Sequence, residues 1–318
     1  MGLDGIMSSS LMLTLALAAG IAMQAANVTE PPIKELKDFA FSQQPETARS
    51  LFEAARPKDR PLGAEWLAAM SWVARAGAIA GDWDMAADYA EETLKGCERL
   101  LNQKALDMDP NAPFPIALGA AIETLAKFYD AKGDRGQAVG FLRDQGTRFA
   151  GTSVETRLNK NLLLLDLAGK PMPKLDASQP LGTVRLDSVD LKGKVALFFF
   201  WAHWCSDCRE QKPILAELQR RYAGRGLVIV APTRLYGYVR DGLDAGPVEE
   251  QAYIVAEHVR ENPLLSAVPV PLSGKNFVDF GVSTTPTLVL VDREGIVSLY
   301  HPGNVSGEEL AERIEELL

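Results

Sequence analysis

The stretch that decides the fold is GKVALFFFWAHWCSDCREQKP, residues 193–213. Lys194 to Trp201 is an almost wholly apolar run after a Lys-Gly-Lys turn. A short, bulky, unbroken run of this kind fits a strand buried on both faces of a sheet. Cys205 and Cys208 follow, and from Arg209 to Ala223 the pattern turns helical, with Ile214, Leu215, Leu218 and Tyr222 on one stripe. Two residues between cysteines in a first helical turn bring their Cα atoms close enough for a disulfide. The first cysteine then sits where unpaired N–H groups and the positive end of the helix dipole favour a thiolate. The chemistry such a pair supports is attack by Cys205 on a disulfide, followed by resolution of the mixed disulfide by Cys208; the alternatives are a structural disulfide or half of a metal site.

Downstream, Gly226 to Ala231 (GLVIVA) reads as a second buried strand, Glu249 to Glu261 as a helix, and Thr287 to Asp292 as a third strand. Gly295 marks a turn into a fourth strand, Ile296 to Tyr300, and Glu308 to Leu318 reads as a closing helix. Strands alternating with helices imply an α/β fold whose sheet is partly parallel. The segment Arg234 to Lys275 is long and mixed, with Tyr236, Tyr238 and Tyr253. It can be an extra helix covering the sheet or a lining for a substrate groove.

Upstream, Lys170 to Gly182 (KPMPKLDASQPLG) carries three prolines and reads as a linker. From about Pro45 to Ala168 the periodicity is helical, without strand signals. Residues 74–94 and 126–146 resemble each other at an offset of 52 residues, with Gly81-Asp82 matching Gly133-Asp134, Ala86 matching Ala138, and Tyr89 matching Phe141. Each copy reads as helix, Gly-Asp turn, helix: Gly in the left-handed position that ends one helix, Asp capping the next. The pattern resembles tetratricopeptide-like helical hairpins, although its period differs from the usual ~34. The hairpins can simply bury their Ala-rich faces, or stack into a concave surface that docks a partner.

The chain has 318 residues, 47% hydrophobic and 24% charged. That length predicts two domains after any targeting segment. The net charge of -9 argues against a nucleic-acid partner, which needs a basic face. Three cysteines are too few for a disulfide scaffold, and Cys97, alone in a helical stretch, reads as a small packing residue. One C-x-x-C and three scattered histidines make a poor metal site. Residues 11–26 (LMLTLALAAGIAMQAA) fit the apolar region of an export signal, cleaved or retained as an anchor.

With Gly281-Val282-Ser283-Thr284-Thr285-Pro286-Thr287, the stretch 193–213 resembles the thioredoxin superfamily, and within it the TlpA/ResA-like proteins of the bacterial envelope. The strand, the aromatic-Ala-x-Trp lead, the Cys-x-x-Cys opening a helix, Pro213 and the Thr-Pro before the next strand carry the likeness. It implies a thioredoxin-like α/β domain, a central mixed sheet flanked by helices, over residues 183–318, with 169–182 as linker or start of that domain; the helical periodicity predicts an all-α domain over 27–168, and the apolar run a signal or anchor over 1–26. It also implies a cis Thr285–Pro286 peptide beside the Cys205 sulfur, where the Thr285 backbone pairs with substrate, and Trp204 as a cover on the disulfide. His203, Asp207 and Arg209 stand close enough in sequence to tune the thiol; His203 as a cation would favour the thiolate, but its ordinary reading is an exposed loop side chain.

The implied activity is thiol–disulfide exchange in the periplasm, with protein or peptide disulfides as substrate and a membrane-bound or soluble dithiol as electron donor. No cofactor beyond the Cys205–Cys208 disulfide is implied. Three departures from the family pattern matter. Asp207 replaces the proline usual before the second cysteine, and its charge opposes a thiolate, predicting a raised Cys205 pKa and a more reducing couple. Phe199 stands where thioredoxin has a buried Asp, and Gln211 where the envelope branch has Glu, so both usual proton acceptors for the resolving thiol are missing. Two other functions compete. A peroxiredoxin needs a P-x-x-x-T/S-x-x-C lead, and Phe198 with Trp201 through Trp204 occupies that ground. A helical-repeat adaptor would use the redox domain as a sensing module.

Overall fold

The computed structural model describes residues 30–101, 108–186 and 191–318. The export segment expected over residues 1–26 lies outside them. The chain forms two compact units, one ending at Val154 and the other running from Glu155 to Leu318.

The first unit contains α1 (Ile33–Phe41), α2 (Pro45–Ala55), α3 (Ala64–Ala80), α4 (Trp83–Leu100), α5 (Pro113–Ala131) and α6 (Arg135–Arg148). The internal similarity falls on two hairpins, α3–α4 and α5–α6. Gly81 and Gly133 hold φ of 80° and 87°, the left-handed region where a Cβ is strained. Asp82 Oδ1 accepts from Met85 N and Asp134 Oδ1 from Gln137 N, at 3.1 and 2.8 Å. Ala86 and Ala138 are both fully buried, and Tyr129 and Phe141 pack edge to face 5.6 Å apart.

The second unit begins with α7 (Glu155–Asp166), followed by β1 (Pro180–Leu181), β2 (Val195–Phe200), α8 (Ser206–Tyr222), β3 (Leu227–Val230), α9 (Pro247–Tyr253), β4 (Val270–Pro271), α10 (Gly274–Asp279), β5 (Thr287–Val291), β6 (Val297–Pro302) and α11 (Gly307–Leu317). The main sheet has the order β3-β2-β5-β6, with β2 parallel to β3 and antiparallel to β5, and β5 antiparallel to β6. The six residues of β2 are all buried. Because side chains alternate across a sheet, Val195, Leu197 and Phe199 join the core that contains both redox cysteines. Ala196, Phe198 and Phe200 join the opposite core, where Phe200 meets Phe277 and Phe280 at 5.6 and 5.0 Å.

Three expectations need correction. The all-helical region was expected to reach residue 168, but the division falls before α7: Asn159 Nδ2 donates to Val278 O at 3.2 Å and Leu167 enters the second unit's core. Helical periodicity shows that a face is buried, not which neighbour buries it. The proline-rich stretch is tied to the sheet: Gly169 N donates to Val297 O, Val297 N to Lys170 O and Met172 N to Gly295 O, and β1 pairs with β4. The helix expected over 249–261 is α9 followed by a π-helix, Ile254–Val259. No helix among the described residues is long and apolar enough to cross a membrane.

Candidate redox site

β2 delivers the chain into a buried turn, Trp201 and Ala202, from which α8 starts with Cys205 as its N-cap. Cys205 and Cys208 form a disulfide with Cα atoms 5.3 Å apart. Cys208 N donates to Cys205 Sγ at 3.1 Å, so the sulfur occupies the place of an N-capping oxygen. That geometry stabilises a thiolate once the disulfide opens. Cys208 is completely buried, whereas Cys205 retains slight exposure. The Thr285–Pro286 peptide is cis, Pro286 is buried, and the Thr285 carbonyl oxygen lies 3.4 Å from Cys205 Sγ.

The remaining candidates lie around this pair. Trp204 is half exposed, and its ring meets Tyr236 edge to face at 5.5 Å. Asp207 and Arg209 are exposed, and Ser206 Oγ donates to Asp207 Oδ1 at 3.2 Å. His203 is not the exposed loop side chain of the sequence reading: only 6% of it is accessible. Its Nε2 lies 3.1 Å from Glu250 Oε1, and Tyr236, Tyr238, Tyr253 and His258 surround the ring at 5.4–5.9 Å. Burial holds His203 below the ordinary imidazole range, against the upward pull of Glu250. It is therefore an uncharged anchor at neutral pH rather than a cation beside the thiolate.

Glu250 was not foreseen. It is fully buried in α9 and accepts from Tyr236 N and Gly237 N at 2.7 and 2.8 Å as well as facing His203. One carboxyl group thus ties the turn before Cys205 to the Tyr236 segment that supports Trp204. A lone Glu in a helical pattern carries no signal for this. Gln211 is also fully buried, with Nε2 donating to Val305 O at 3.1 Å and Oε1 accepting from Val305 N at 2.9 Å. A carboxylate could not make both bonds, so the amide latches α8 to the loop before α11. Phe199 is core.

Lys212 was missed although its position was legible, four residues after Cys208 on the buried stripe of α8. Its ammonium stands 4.6 Å from the Trp201 ring centroid, and burial together with Arg209 pulls it down to about 8. His258, in the π-helix, is pushed down to about 4 by burial, then by Lys212, His203, Arg209 and Arg240, and its Nε2 is buried without a hydrogen bond.

A strand–turn–helix that sets a capped cysteine pair against a cis-proline loop defines a thiol–disulfide oxidoreductase of thioredoxin-like fold. Residues 184–318 match the family model described as a thioredoxin-like domain. It is 28% identical over 182 residues to "Thiol-disulfide oxidoreductase ResA" of Bacillus thuringiensis subsp. konkukian, covering 57% of this chain and 87% of that protein. It is 28% identical over 155 residues to "Thiol:disulfide interchange protein DsbE" of Xylella fastidiosa, covering 48% and 70%. Among solved structures, a thiol-disulfide isomerase from Corynebacterium glutamicum is similar at 18% identity and a TM-score of 0.38, covering 46% of this chain and 96% of that one.

Proposed function

We propose that the chain is a reductant of protein or peptide disulfides in the bacterial envelope, with Cys205 as nucleophile and Cys208 as resolving thiol. The observation that carries this reading is the asymmetry of the pair: Cys205 caps α8, takes the Cys208 N–H and faces the Thr285 carbonyl, while Cys208 lies beneath with no exposure. Attack by the Cys205 thiolate breaks the substrate S–S bond and leaves a mixed disulfide and a substrate thiolate. Cys208 then displaces the second substrate sulfur, closing the Cys205–Cys208 disulfide. A dithiol donor returns the two electrons in the reverse sequence.

Thr285 supplies backbone to an extended substrate and Trp204 an exposed aromatic surface beside the disulfide. Asp207, in the first turn of α8, opposes the Cys205 thiolate and makes the couple more reducing; Arg209 partly offsets it. The test is the reduction potential of the pair together with capture of mixed disulfides by Cys208→Ser in the full chain. The expected potential lies toward the thioredoxin value of about −270 mV. A value near the about −180 mV of protein disulfide isomerase overturns the assignment as a reductant.

A further inference from the structure

Resting on that exchange chemistry, we propose that Lys212 is the base that takes the proton of Cys208 when the resolving sulfur attacks the mixed disulfide.

Resolution needs such a base, because a thiol is a poor nucleophile and Cys208 has no exposure to water. Neither of the two positions where the resemblance leads to an expected acid supplies one. Phe199 is packed in the core, and the Gln211 amide is consumed by Val305. Lys212 lies one turn beyond Cys208 on the same buried face of α8. Helical side chains lean toward the N-terminus, the direction in which Cys208 lies from Lys212, and the Lys212 ammonium rests on Trp201, in the turn before the cysteines. Only 5% of Lys212 is accessible, and no carboxylate lies within 4.0 Å of its ammonium among the described residues. A buried ammonium without a counter-ion is costly, and a methionine or leucine would fill the site better. The neighbours that face it supply no counter-charge: the Trp201 ring beneath offers only a π face, which favours the ammonium weakly, Arg209 on the same helix opposes it, and His258, uncharged at neutral pH, lies on the adjoining π-helix. Farther along α8, Glu217 is taken by Arg220. With the amine free near pH 8, Lys212 is matched to a thiol proton.

The step balances. The Lys212 amine takes the proton from Cys208, and the Cys208 thiolate forms the Sγ–Sγ bond to Cys205. The bond from Cys205 to the substrate sulfur breaks, and the electron pair leaves with the substrate thiolate. Lys212 lines a cleft of about 530 Å³ with Pro213, Ala216, Asn262, Pro263 and Leu264, through which its proton returns to water.

The experiment uses the reduced full chain and 5,5′-dithiobis(2-nitrobenzoate) in stopped flow. The first thionitrobenzoate released reports attack by Cys205, the second reports attack by Cys208. Cys97 is fully buried and its thiol is pushed up to about 12, so it adds no fast phase. In Lys212→Met the first phase should be unchanged and the second slowed about 100-fold at pH 7.5. In the unmodified protein the second phase should rise with pH to a midpoint near 8, and the variant should lose that midpoint. Lys212→Arg keeps the cation over Trp201 but cannot accept a proton, so it should be as slow as Lys212→Met. A second phase at full speed in either variant overturns the proposal. Absence of the first phase in the unmodified protein refutes the exchange chemistry instead.

Discussion

Acidification should destabilise the C-terminal unit through its buried imidazoles, and His258 is the one whose share can be isolated. His258 sits in the π-helix against Trp201, Tyr253 and His203, with its Nε2 enclosed and unbonded. Burial first, and then the charges of Lys212, His203, Arg209 and Arg240, push it from 6.5 to about 4. A folded value below the unfolded one means that the unfolded chain takes up the proton first. The stability contribution is therefore complete above about 6.5 and is lost as the pH falls toward 4. Each pKa unit is worth about 1.4 kcal/mol, so the displacement corresponds to about 3 kcal/mol. The ring is not fully enclosed, and residual screening reduces this to about 2 kcal/mol. The comparison is between the full chain and His258→Phe, which keeps the aromatic packing and removes the titration. Urea unfolding, read by hydrogen exchange of the β2 and β5 peptides at matched pH, gives both stabilities. Carboxylate titration is common to the two proteins and cancels. The variant should gain about 2 kcal/mol relative to the parent between pH 7 and pH 4. Parallel stability curves over that range would refute the reasoning.

Gln211→Glu restores an acid but breaks the latch: as a carboxylate it faces the Val305 carbonyl, and only its protonated form can make both bonds. Its folded pKa is thus raised, and stability should fall by about 1–3 kcal/mol as urea titrations move from pH 4 to pH 8. Asp82→Ala and Asp134→Ala each remove a helix cap in a different hairpin, and each should cost about 1 kcal/mol in the unfolding of the first unit, with the double variant additive. Asp207→Asn removes the charge from the first turn of the redox helix and should raise the reduction potential by about 10–20 mV, measured against glutathione.

The legible and illegible parts of this molecule separate along a physical line. β2, α8 and the Thr-Pro loop were readable because the signal is local: an apolar run, a cysteine spacing, a proline at one place. The Gly81-Asp82 and Gly133-Asp134 turns were readable for the same reason, since left-handed φ and N-capping belong to the residues themselves. What failed depends on contacts distant in sequence. His203 is buried by three tyrosines and a glutamate drawn from residues 236–253, and nothing in its own neighbourhood announces that. α7 looks like one more helix of the first unit until its partner, the segment around Val278, is seen. Lys212 lies between these cases. Its place on the stripe was visible, but a lysine beside two glutamine-or-glutamate positions reads as solvated surface.

The departures at Phe199 and Gln211 are better understood together with Lys212 than one by one. Each places an uncharged side chain where the resemblance leads to an expected carboxyl group, and each position has a structural use, as core and as latch. If an acid had remained at either place, a buried lysine one turn from Cys208 would have been neutralised by it as an ion pair, and neither group would accept a proton readily. With no acid at either place, the lysine has no counter-ion and its burial lowers its basicity toward that of a thiol. Exchange of an acidic acceptor for a basic one also moves the working range. A carboxylate is ready to accept well below neutrality, whereas an amine with a value near 8 becomes ready only as the pH rises toward it. Mixed-disulfide resolution in this chain should therefore slow on acidification while Cys205 attack follows its own, separate titration. That divergence between the two steps is the kinetic signature of a redox helix whose proton chemistry has changed sign.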